Sequence, residues 1–260
     1  MNNIQYLSGA INAGDCVGGA WNLVSRRFGL YIGVGLLTLI LIGCIPFVGS
    51  ILFGPVLAGF YYLVLRDMRD EPVDFGMMFK GFEKFVPLML AGLVQSAPSL
   101  VATILQYSVD FARLAGPAAR GGDVNFYQSG SDALFAGISA GLLVIIAVVM
   151  ALFGIVWSIA LSFAIPLILE HDLPVVDALL TSAKAAFSNV GGLIVLIILE
   201  ILIAILGVIA LCVGIFVAMP VIYAANVFAY RMVFPYFDRP GFNTAPPPPS
   251  AYGGTYGKNY

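Results

Sequence analysis

From Phe28 to Ile45 the chain runs for eighteen residues without a charge, and a longer uncharged run follows at about 134 to 169. Lipid offers the backbone no hydrogen-bond partners, so a run long enough to cross a hydrocarbon core must satisfy its own N–H and C=O groups as helix. Of the 260 residues 60% are apolar and 10% charged, and mean hydropathy is +0.98, which a water-soluble domain does not tolerate. These features predict an all-α polytopic membrane protein. A formal net charge of −2 supplies no basic excess for phosphates, so nucleic acid is not an expected partner.

Residues 49–85, GSILFGPVLAGFYYLVLRDMRDEPVDFGMMFKGFEKF, show the unit from which the chain is built. An apolar span ends at Arg66, a charged hinge follows, and an amphipathic helix leads to the next span. Versions of this unit give about six transmembrane helices, near 28–45, 50–65, 86–107, 134–169, 190–211 and 215–231. Three interfacial amphipathic helices accompany them. In the first, over 4–26, Val17, Ala20, Trp21, Val24 and Phe28 form the stripe, and in the second Phe75, Met78, Phe79, Phe82, Phe85 and Val86 do so. In the third Val176, Leu179, Leu180, Ala183, Ala186, Phe187 and Val190 are expected to be buried. Pro98 is expected to kink the third span, Pro166 to bend the overlong fourth, and residues 109–132 to form an external loop with at most a turn of helix.

A shift of 165 residues lays Gly49 on Gly214, Pro55 on Pro220, Gly59 on Ala224 and Arg66 on Arg231. With EPVD at 71–74 and LPVVD at 173–177 in equivalent places, a threefold internal repeat follows, with units at about 5–66, 73–170 and 174–231. Residues 1–235 are expected to be one membrane domain and 236–260, rich in Pro, Gly and Tyr, a disordered cytoplasmic tail. The proline run 246–249 could dock on an aromatic groove or be plain solvated chain.

The N-terminus lacks a basic stretch followed directly by an apolar core, so the first apolar run is expected to insert as an uncleaved anchor. With both termini cytoplasmic, ten of the twelve lysines and arginines lie inside and only Arg113 and Arg120 outside, the asymmetry that insertion selects. An inner-membrane location follows, and ten inner acids leave the inner surface nearly neutral.

Glu200 is the sharpest candidate for chemistry, since ten apolar or small residues flank it on each side. An ionisable group at that depth is costly, and serves either a proton- or ion-linked step or a hydrogen-bonded helix contact. No lysine or arginine lies at its depth, which leaves Gln95, Ser96, Ser158 and Tyr223 as partners, while Asn226 reads as a separate helix-helix contact. Glu200, Gln95 and Asn226 are therefore the candidate intramembrane polar site. His171, between Glu170 and Asp172, is a weak basis for a metal, and no metal, cofactor or catalytic set is expected. Cys16, Cys44 and Cys212 form no disulfide framework, though Cys44 and Cys212 fall near outer span ends and could pair.

The segments GPVLAGFYYLVLRDMRDEPVDFGMMFKGFEKF, IPLILEHDLPVVDALLTSAKAAFSNVGGLIVL and PVIYAANVFAYRMVF resemble bacterial uncharacterised multi-pass membrane protein families related to the membrane domain of some glycerophosphodiester phosphodiesterases. The resemblance covers roughly residues 5–235 and implies a helical membrane domain; it transfers no activity and no functional residue. The leading expectation is a non-enzymatic protein that organises membrane lipid or a membrane partner, including a second copy of itself. The alternative is a transporter or channel for a small or lipid-like substrate.

Overall fold

The computed structural model describes residues 5–43, 46–120, 130–210 and 214–235, and every regular element among them is helical. In chain order these are α1 (Ala13–Arg26), α2 (Phe28–Gly43), α3 (Pro46–Asp67), a 3₁₀ helix (Phe75–Lys84), α4 (Phe85–Arg120), α5 (Gly130–Leu161), α6 (Ala164–His171), α7 (Val175–Ser188), α8 (Val190–Ile209) and α9 (Ile215–Val233). Five of the described helical segments are long and apolar enough to cross a membrane, and the pair α1–α2, bent by 106°, supplies a sixth candidate. The tail 236–260 and the Cys44–Cys212 pairing lie outside the described residues.

Short helices pack on long ones. The 3₁₀ helix lies on α3, α7 on α5 and α6, and α1 on α9 and α8. α1, the 3₁₀ helix and α7 are each preceded by a residue in the left-handed region: Gly9 (φ 65°), Asp70 (φ 54°) and Asp172 (φ 51°). A short aspartate side chain tolerates that conformation, so the two hinges Asp70–Pro72 and Asp172–Pro174 turn the chain in the same way.

The buried faces differ from the expected ones for one physical reason. On α7 the inward residues are the small Ala178, Ser182, Ala185 and Ala186, while Val176, Leu180 and Phe187 are 65, 55 and 54% exposed. Lipid is as apolar as leucine, so nothing drives large side chains inward, and close packing selects small ones. In α1 the buried set is Ala13, Cys16, Ala20, Leu23 and Val24, with Trp21 turned outward, and the helix begins at Ala13 behind an Asn12 cap rather than near residue 4.

The stretch 75–84 is a 3₁₀ helix, not the α-helix its stripe predicted. Residues three apart eclipse one another in that geometry, and three ladders result. Met78 and Gly81 bury against α3, the Phe79, Phe82 and Phe85 rings follow one another at 6.2 Å with the second pair stacked and the first tilted, and Lys80 pairs with Glu83 at 2.6 Å. Gly81 rests on the Pro55 carbonyl and the Gly59 nitrogen, while the Cα of Gly59 faces the Met78 carbonyl, so the two backbones touch without side chains between them.

The predicted loop over 109–132 is corrected at both its ends, while 121–129 lie outside the described residues. α4 continues to Arg120 and α5 starts at Gly130; the loop reading gave weight to Gly116 and Pro117 and little to the helix formers Ala112, Leu114, Ala115, Ala118 and Ala119 around them. The fourth span breaks at Ser162–Phe163, a turn before Pro166 where the bend was expected. A proline cannot bond to the carbonyl four residues back and its ring clashes with it, so the disruption falls near Ser162. Ser182 of α7 fills the gap, accepting from Phe163 N at 3.1 Å and donating to the Ala160 carbonyl at 2.8 Å. Replacing Ser182 with alanine removes both bonds and should cost about 1–3 kcal/mol in SDS-unfolding titrations, whereas a threonine that keeps the hydroxyl should cost less.

Cys16 is fully buried, with Sγ 3.6 Å from Met232 Sδ. With Cys44 and Cys212 changed to serine, the native chain should resist maleimide for hours and react within minutes in SDS, because burial disfavours both access and the thiolate.

Candidate functional site

α8 holds twenty residues, about 30 Å of helix, and Glu200 is the eleventh, half-way along. Its Oε1 accepts from Asn226 Nδ2 of α9 at 2.7 Å, and the second hydrogen of that amide goes to the Ile222 carbonyl at 3.0 Å. Glu200 thus makes a helix-helix contact with Asn226, a residue the sequence reading treated separately.

A cavity of about 230 Å³ lies beside this pair. Its polar lining is Gln95 of α4, Ser158 of α5, Ser162, Glu200, Tyr223 and Asn226, with Tyr61 of α3 opposite. All three candidate residues, Glu200, Gln95 and Asn226, therefore meet at one site. Of the partners expected for Glu200, Gln95, Ser158 and Tyr223 line the same space without a hydrogen bond to it, and Ser96 lines the next one. That neighbouring cavity, about 430 Å³, shares Phe53, Gln95 and Ser158 with the first and extends to Gly49 and Ser50 near the start of α3. Trp157 Nε1 donates to the Val94 carbonyl at 2.8 Å and ties α5 to α4 beside both.

Gln95 Oε1 is buried and receives no hydrogen bond. A buried amide oxygen without a partner costs free energy, and in native proteins such atoms are few and call for a reason.

A second cluster, which sequence reading left as a charged hinge, gathers at the ends of α3, α6 and α9. Glu170 Oε1 accepts from Arg69 Nη2 at 2.9 Å and from Arg231 Nη2, and Oε2 accepts from Tyr230 at 2.8 Å. Arg66 pairs with Glu71 at 2.5 Å, Lys84 pairs with Asp172 and donates to the Leu169 carbonyl at 2.9 Å, and buried Asp67 accepts from Tyr31 at 2.8 Å beside Arg27 at 3.3 Å. Basic and acidic groups compensate one another here, so this end is a clamp between helices rather than an anion site. Among the described residues no three His, Cys, Asp or Glu side chains are placed to share a metal ion, and His171 stands exposed at the end of α6. Comparison with protein-family models, with curated proteins and with solved structures finds no match for this chain.

Proposed function

We propose that the chain is a non-enzymatic, multi-pass inner-membrane protein that holds a lipid-like amphiphile in the cavity beside Glu200. The observation that carries this reading is the polar void at mid-span, with the unpartnered Gln95 oxygen in its wall. Left empty it would only cost free energy, while a bound polar head would satisfy it.

A threefold repeat accounts for where the polar groups stand. Thr38, Gln95 and Glu200 are each the eleventh residue of α2, α4 and α8, counting from Phe28, Phe85 and Val190. The three left-handed residues precede the three short helices, and each short helix packs on the long helix that closes a different unit: α1 on α9, the 3₁₀ helix on α3, α7 on α5 and α6. These equivalences support three units closed into a ring with both termini on one membrane face, and the lysine and arginine distribution along the sequence favours the cytoplasmic face. Transport of the same amphiphile is the second reading, favoured by the larger cavity that leads from Gln95 to the start of α3.

Extraction of the protein in native membrane patches, followed by mass spectrometry, tests the site. One amphiphile per chain should be retained, and Gln95→Leu should release most of it. A chain that emerges empty overturns the proposal.

A further inference from the structure

The chemistry of the cavity wall selects the head group. Neither cavity has a lysine, arginine or histidine in its lining. Both hydrogens of the Asn226 amide are committed, and Ser162 already donates to the Ile159 carbonyl at 2.9 Å. Beside Glu200 the open groups are its own Oε2, which receives no hydrogen bond among the described residues, the unpartnered Gln95 Oε1, and the Ser158, Tyr61 and Tyr223 hydroxyls, which are neutral and can turn to donate or accept. A phosphate would bring more negative charge beside a carboxyl group with no cation in the lining to offset it.

Resting on the reading of this cavity as a ligand site, we propose that Glu200 and Gln95 receive the ammonium head of an amine-bearing amphiphile. One N–H goes to Glu200 and another to Gln95 Oε1 once that buried oxygen turns into the cavity its residue lines, and the pair is neutral overall, as the middle of a membrane requires. The tail has an exit. α5 and α8 both line the cavity, yet among the described residues they do not pack closely against each other, and along both helices apolar residues such as Leu152, Ile155, Ile198 and Ile201 are exposed. An acyl chain leaving between these two helices would lie against apolar side chains rather than polar ones.

The test uses the full chain in phosphatidylcholine nanodiscs, with equilibrium binding of radiolabelled dodecylamine, dodecyltrimethylammonium and dodecyl phosphate measured above empty nanodiscs. Dodecylamine should saturate at one per chain and bind at least tenfold more tightly than dodecyl phosphate. The trimethylammonium analogue, which has no N–H to give, should bind more weakly than the amine. Glu200→Gln keeps an oxygen for Asn226, so it should leave the fold intact and weaken the amine about tenfold. Equal affinity for amine and phosphate, or an unchanged affinity in Glu200→Gln, overturns the ammonium assignment. A phosphate-headed lipid retained from native membranes and indifferent to Glu200→Gln would overturn it while leaving the cavity as a ligand site. Absence of saturable binding by every probe, together with an empty native extract, overturns both.

Discussion

Glu170→Ala should destabilise the folded chain by about 3 kcal/mol, read as a lower SDS fraction at the unfolding midpoint. The Glu170 and Arg231 side chains are only 15 and 9% exposed, and Arg69 and Tyr230 converge on the same carboxylate. Removing the acid takes away the carboxylate on which two guanidiniums and the Tyr230 hydroxyl converge in a mostly dry place, and breaking such a pair from one side costs about 3–5 kcal/mol when burial is complete. Partial access through the small opening beside Arg66 and Arg69 brings the figure to the lower end. Changing both partners, Glu170→Leu with Arg231→Met, should recover a large part of the loss. If the double variant is as unstable as the sum of the singles, the two side chains are not coupled and the clamp is misread.

Gly59→Ala should be of similar size, at about 3 kcal/mol or more. A Cβ at Gly59 would sit inside the Met78 carbonyl, and at Gly81 inside that of Pro55, so α3 and the 3₁₀ helix would have to separate along their whole contact. Backbone cannot give way as a side chain can. Gly191→Ala is the matched control: nothing lies within 4 Å of its added methyl, and helix propensity should make it neutral or slightly stabilising. Equal effects at Gly59 and Gly191 would show that the close approach carries no load.

What could be read from the sequence follows from how each signal arises. Long uncharged runs dictate helix directly, so the all-helical character and the approximate positions of the spans were legible. The faces of the short helices were not, since the stripe method assumes that large apolar residues turn inward, as water enforces. Phe187 and Val176 turn outward here because their surroundings are not water. The 3₁₀ geometry of 75–84 was hidden because its Phe and Met residues fit both periods. Its Phe79, Phe82, Phe85 and Lys80, Glu83 spacings of three were the available clue. Glu200 was found by its isolation, and Gln95 by its depth. Their convergence with Asn226 needed three helices, α4, α8 and α9, to be placed in space. A shift of 105 residues, which lays Gln95 on Glu200, would have linked the first two. The Glu170 clamp escaped because hinge charges look alike until their partners, 61 and 101 residues away, are known.

The segment ahead of α1 bears on the timing of synthesis. Leu7 N donates to the Val233 carbonyl, Gly9 N to that of Ser188 and Ala10 N to Asn189 Oδ1, while Asn189 Nδ2 returns to the Leu7 carbonyl. The segment 7–10 is thus tied down by residues made much later, Asn189 lying 182 positions after Leu7. At roughly 5–20 residues per second, Leu7 waits on the order of ten to forty seconds for Asn189 to be made. During that interval α1 has neither α8 nor α9 to lie on, and its buried Ala13–Cys16–Ala20 face must rest on lipid or on the insertion machinery. Nascent chains stalled before α8 should therefore expose Cys16 to maleimide, and release past α9 should close it.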